Sequence, residues 1–196
     1  MSEKISLIGN CQTLALTWYL QQLNKDFDVQ WIQLAGELGN KIASESNAWG
    51  KKITKIVSIE TGINRLQQSD YVIFQHLKIK TSPHYNLEEL KKHVTKGKLI
   101  SISSFFYDPS DPERFNLKRM KQIANKLKID VSAHKIIEKH GSKITVEKSA
   151  KGHNKINHPQ AFYFLEVVRG ICAKTGWDYY SDEQYNQYLK EGYPFG

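Results

Sequence analysis

Three short stretches of this 196-residue chain carry side chains able to do chemistry. The first is Gly9-Asn10-Cys11-Gln12, which follows the apolar run Ile5 to Ile8. Glycine lets a backbone turn sharply, and a helix starting after it offers N–H groups and partial positive charge to an anion. A thiol at such a helix start is expected to ionise more readily than a free one, which would make Cys11 a nucleophile. The same spacing fits a small cysteine buried in a strand-to-helix turn. The second stretch is Asn157-His158-Pro159, placed just before a proline-started helix. An imidazole there can take a proton from a hydroxyl or amine near neutral pH, or can serve as a histidine cap. The third is Phe74-Gln75-His76, where an amide or imidazole donor could stabilise an oxyanion or satisfy a loop.

These groups need a scaffold, and the apolar periodicity supplies one. Ile5 to Ile8 reads as a strand, Cys11 to Leu23 as a helix and Val29 to Leu34 as a second strand. Ala35 to Lys55 is polar and gives no assignment. Ile59 to Gln68 fits a helix leading into a buried strand from Asp70 to Phe74; Leu87 to Val94 fits a short helix and Lys98 to Ser103 a strand. The prolines of Asp108-Pro109-Ser110-Asp111-Pro112 mark a loop. Phe115 to Leu127 is amphipathic, with Leu117, Met120, Ile123, Ala124 and Leu127 on one stripe. Ile129 to Lys148 allows a hairpin around Gly141-Ser142. Ala161 to Cys172 recurs at helical spacing up to a C-capping Gly176, which makes Cys172 a core residue, and Asp182 to Leu189 adds a last helix.

Strands alternating with helices predict an α/β fold: three layers, with an open, mostly parallel sheet between helices. Ligands of such sheets sit beyond the carboxyl ends of the strands, which selects Asn10, Cys11, Gln75, His76 and Ser104. One domain, 1–196, is expected.

Composition narrows the function. The two cysteines, Cys11 and Cys172, match neither a disulfide framework nor a CxxC metal knuckle, so no metal and a reducing, cytoplasmic compartment are expected. No apolar stretch approaches the roughly 20 residues of a membrane span. Of the remaining histidines, His84, His93, His134 and His140 lack metal-ligand spacing and read as surface residues, while His153 has no assignment. The net charge of +8 is concentrated between Lys118 and Lys151, where ten basic residues face three acids. That surplus fits a solvated face or a site for phosphate-bearing ligands; no nucleic-acid-binding motif accompanies it.

Gly9-Asn10-Cys11-Gln12, the strand Asp70 to Gln75, the aromatics of Ser104-Phe105-Phe106-Tyr107 and Asn157-His158-Pro159, in this order, resemble the WcbI family of polysaccharide-biosynthesis proteins, which is related to the SGNH-hydrolase group. The resemblance implies an SGNH/flavodoxin-like sheet and an acetyltransferase that moves an acetyl group from acetyl-coenzyme A to a hydroxyl or amine of a sugar, nucleotide sugar or glycan. It implies catalytic roles for Cys11, His158 and Gln75: His158 matches the SGNH histidine, Cys11 the nucleophile position and Gln75 or His76 the region of the oxyanion hole. Gly9, Asn10, Gln12, His76, Ser104 and Asn157 are then the positions expected to contact coenzyme A. In the SGNH group an aspartate three residues before the histidine orients it, and here that position is Lys155. An esterase or deacetylase, and a non-catalytic module binding coenzyme A or an anionic glycan, are the competing readings. The enzymatic readings require the Cys11 thiol and the His158 imidazole to serve one pocket.

Overall fold

A computed structural model describes residues 2–33, 44–48, 51–56, 59–76, 87–110 and 117–192. The chain divides into two compact units, Met1–Ser101 and Ile102–Pro194. The fold is α/β, as the alternation predicts.

In the first unit, strands β1 (Lys4–Gly9), β2 (Asp28–Gln33), β4 (Lys51–Ile56) and β5 (Tyr71–His76) run parallel in the order β4-β2-β1-β5. Strand β3 (Ser44–Ala48) pairs antiparallel with β4 at one edge, and β6 (Lys98–Ser103) lies beside β5 at the other. The chain steps outward from β1 to β2 and β4, then returns to the other side of β1 as β5. Numbered among themselves, the parallel strands run third, second, first, fourth, the order of dinucleotide-binding sheets rather than of flavodoxins. The reversal falls between β1 and β5, whose carboxyl ends carry Gly9-Asn10 and Gln75-His76.

Residue parity explains the layers, because neighbouring side chains of a strand point to opposite faces. Ile8, Ile32, Val72 and Phe74 form a buried cluster with Leu66 of α2 (Ile59–Gln68) and Leu90 of α3 (Leu87–Lys92). On the other face, the Trp31 indole N–H donates to Thr13 Oγ1 of α1 (Cys11–Leu23) at 2.9 Å. Both faces of β1 are therefore covered, and Ile5, Leu7 and Ile8 are all fully buried. Buried Arg65 ties α2 to the sheet by donating to Asp28 Oδ2 at 2.6 Å and to Ser6 Oγ at 3.3 Å.

The second unit holds α4 (Leu117–Lys126), α5 (Ala133–His140), a 3-10 turn at Gly141–Lys143, the antiparallel pair β7 (Val146–Lys148) and β8 (Asn154–Pro159), α6 (Ala161–Thr175) and α7 (Asp182–Glu191). Helix α6 ends where Gly176 takes φ +83°, and α7 starts in a capping box between Ser181 and Gln184. Phe105 packs on Tyr163 of α6, ring centroids 4.5 Å apart.

Several sequence expectations change. The segment expected to form a hairpin around Gly141 is helix α5 followed by the 3-10 turn, so the hairpin forms later, from β7 and β8. With α5 in place, His134 is buried rather than on the surface, and its Nδ1 meets Ser132 Oγ. Pro159 closes strand β8 instead of opening α6, whose N-cap is Gln160. The residue before a proline is driven to extended backbone, which puts His158 in the strand. On α4 only Ala124 of the predicted stripe is buried, while Ile123 and Leu127 are exposed. Leu34, Asp111-Pro112, Phe115 and His84 lie outside the described residues.

Gly9 is required by space rather than by a left-handed backbone. A Cβ there would stand 2.6 Å from Gln75 Oε1 and 2.6 Å from Thr13 Cγ2. Neither neighbour is free to retreat, because both belong to buried hydrogen-bonded groups. Gly9→Ala should destabilise the protein by about 1–3 kcal/mol, as other overpacked sites do, read from urea unfolding followed by circular dichroism; unchanged stability would contradict this packing.

Candidate functional site

Each unit holds one cluster of the predicted residues. In the first, Asn10 caps α1: its Oδ1 accepts the Gln12 N–H at 2.9 Å, and its carbonyl accepts the Thr13 N–H at 3.0 Å. Gln75 is fully buried and holds this turn at both ends of its amide. Its Oε1 accepts from the Asn10 N–H at 3.1 Å, and its Nε2 donates to Gln12 Oε1 at 2.8 Å. The side chain expected to face substrate as an oxyanion donor is thus a positioning residue. The Gln12 and Thr13 N–H groups point inward to Asn10, which leaves the Cys11 N–H as the donor at the helix start that Asn10 does not take. His76 has the opposite parity to Gln75 and sets its ring edge on Phe74, centroids 5.5 Å apart, on the α2 and α3 face. It does not join the Asn10-Cys11-Gln75 group.

Cys11 is exposed, yet its thiol is less acidic than an ordinary one. Loss of hydration raises its pKa, and the N–H groups of Cys11 and Gln12 oppose that rise without cancelling it. This corrects the expectation of a readily ionised thiol: the helix start provides favourable donors, but desolvation outweighs them. Cys172 is core as predicted, buried on α6 with its thiol pushed up to about 11 by burial.

The second cluster centres on β7 and β8. His158 Nδ1 lies 3.1 Å from Glu147 Oε2, and the other carboxylate oxygen of Glu147 accepts from Lys155 Nζ. The pairing register explains the meeting: Val146 faces Pro159 and Lys148 faces Asn154, with a bulge between. The extra residues on β8 bring Lys155 and His158 to one carboxylate. Lys155 holds Glu147 below the usual carboxylate range, with a smaller contribution from His158. A carboxylate only accepts hydrogen bonds, so the histidine must carry its proton on Nδ1, which makes Nε2 the basic nitrogen. A depressed folded-state pKa means that the pair stabilises the fold above the ordinary glutamate range. That contribution is lost only as pH falls through the lowered value.

Sequence reasoning missed Glu147. It sought an acid three residues before His158, found Lys155, and had no register by which to look eleven residues back. Asn157 is exposed on β8, and Ser104 is half-buried just beyond β6. The predicted basic residues from Lys118 to Lys151 are all exposed, in keeping with a solvated face. Among the described residues no cluster of His, Cys, Asp and Glu has the makings of a metal site, and no helix is long and apolar enough to cross a membrane. Compared with models of protein families and with curated protein sequences, the chain matches none.

The two thiols should separate cleanly in a disulfide-exchange titration. In native protein Cys11 reacts and Cys172 waits for unfolding, and the Cys11 rate keeps climbing with pH beyond the ordinary thiol range. A Cys11 rate that levels off below that range would show an activated thiolate and contradict the desolvated thiol described above.

Proposed function

We propose that the protein is an acetyltransferase that moves an acetyl group from acetyl-coenzyme A to a sugar hydroxyl or amine in glycan assembly, with His158 as general base. The observation that carries this reading is the His158–Glu147 pair. It supplies the orienting carboxylate that the sequence resemblance lacked, and Lys155, the residue at odds with the SGNH pattern, becomes the tether of that carboxylate. A base held in one tautomer, with its accepting nitrogen turned from its partner, is what proton removal from a weakly acidic hydroxyl needs.

In this reading His158 Nε2 takes the proton as the acceptor oxygen or nitrogen attacks the thioester carbonyl carbon. The tetrahedral intermediate then collapses, the carbon–sulfur bond breaks, and the coenzyme A thiol leaves with the proton from the imidazolium. Within the first unit, the Cys11 N–H is a donor suited to an anion, and Gln75 keeps it in place through Asn10. Direct transfer is preferred over an acetyl-cysteine intermediate. The Cys11 thiol is weakly acidic, and a thioester donor gains nothing by becoming another thioester. Two free cysteines fit a reducing, cytoplasmic setting.

Hydrolysis is the second reading, because the same pair could deprotonate water. Thiol release from acetyl-coenzyme A, followed with and without a panel of nucleotide sugars, separates the two. Transfer predicts release that depends on the sugar; steady release without it marks a hydrolase. With the active sugar, His158→Ala should lower kcat about 100-fold or more, Glu147→Gln about 10-fold or more, and Cys11→Ser less than either. An unchanged rate in His158→Ala removes the assignment, and a stable acetyl-Cys11 adduct by mass spectrometry would restore the covalent route.

A further inference from the structure

Two open clefts flank the β7–β8 pair in the second unit. The larger, of about 1160 Å³, is lined by Val146, Lys148 and Asn154, with Asp108 and Ser110 beside them. The smaller, of about 650 Å³, is lined by Glu147. The clefts adjoin at Thr145 and Gln160, but Val146 and Lys148 line only the larger and Glu147 only the smaller. Volume favours the first, but the carboxylate that orients the base lines only the second; His158 itself lines neither wall and reaches the second through Glu147.

The smaller cleft also has a distinctive lining. Tyr185 and Leu189 stand four residues apart on α7 and so share one helix face, and Phe162 of α6 lies across from them. Leu189 is 40% exposed, an aliphatic side chain left at the surface where it borders this cleft. Around this apolar surface stand Lys143 and Glu191, with Glu147 at the end nearest His158. The cleft also takes in Lys190, so two lysines balance two glutamates and both donors and acceptors line it. A phosphate-bearing ligand would need an excess of positive charge, and a purely apolar one would strand these charged groups against it. A compact ring with one C–H face and a rim of hydroxyls satisfies both requirements: the C–H face lies on Tyr185 and Leu189, and the hydroxyls both donate and accept.

We infer that this cleft is the acceptor subsite, that it takes an uncharged pyranose ring, and that Tyr185 and Leu189 determine its specificity. The inference rests on the reading of His158 as the base, which would meet a ring hydroxyl at the Glu147 end. Any phosphate of the acceptor lies outside the cleft.

The test is binding rather than turnover, so the two readings fail separately. The full-length protein is titrated with methyl glycosides of glucose, galactose, mannose and N-acetylglucosamine, and with glucose 6-phosphate, while backbone amide shifts are recorded by NMR. At least one neutral glycoside should shift Phe162, Tyr185, Leu189 and Glu191, and should bind more tightly than glucose 6-phosphate. Leu189→Ser, at an exposed position, should weaken that binding several-fold, and Tyr185→Ala about tenfold, which corresponds to about 1.4 kcal/mol. Lys148→Ala, in the larger cleft, should leave it unchanged. Shifts centred on Ser110, His153 and Asn154, equal affinity in Leu189→Ser, or no shift with any sugar would each overturn the inference. Binding here by a protein that never consumes acetyl-coenzyme A would end the acetyltransferase proposal and leave the subsite standing.

Discussion

The proposed chemistry depends on how one carboxylate is shared. Glu147 accepts from Lys155 with one oxygen and meets His158 with the other, so its two acceptor atoms are committed in different directions. Lys155 does two things at once: it keeps Glu147 ionised to lower pH than an ordinary glutamate, and it fixes the plane of the carboxylate that His158 must match. These side chains are only partly buried, at 25% exposure for Glu147 and 33% for His158, so the pair stays hydrated enough to avoid a heavy desolvation cost. Its value is therefore orientation more than stability. A substrate hydroxyl reaching Nε2 would find the imidazole already in the tautomer that can accept its proton.

The other cluster follows a similar economy. Gln75 reaches out of the sheet at the point where strand order reverses, and both ends of its amide are consumed in holding Asn10 and Gln12. Gly9 makes that possible by leaving room for the Gln75 oxygen. The outcome is a helix start whose geometry is fixed from beneath, with the Cys11 backbone, rather than its sulfur, as the group best suited to an anion.

How much of this could be read from the sequence follows from which interactions are local. The strands β1, β5 and β6 and the helices α1, α2, α6 and α7 were legible because their burial is written as runs or stripes of apolar residues, with Gly176 as a recognisable cap. The Asn10-Cys11 and Gln75 positions were legible too, since they sit at the ends of those strands. Helix α5 was missed because eight residues span barely two turns, and Ala133, Ile136 and Ile137 then look as much like alternation as like a stripe. Glu147 was missed for a different reason. Its partnership with His158 exists only through a bulged antiparallel register, which no spacing rule along the chain encodes. The role of Gln75 was misjudged on similar grounds, as a polar residue at a strand end looks the same whether it faces a ligand or the underside of a turn.

The most direct test of the account is the protonation of the His158 ring, observed by nitrogen-15 NMR on uniformly labelled protein near neutral pH. The account predicts that the neutral form of the ring carries its proton on Nδ1, with a shift toward mixed tautomers in Glu147→Gln. A neutral ring with its proton on Nε2 in the unmodified protein, or a tautomer balance indifferent to Glu147, would contradict it.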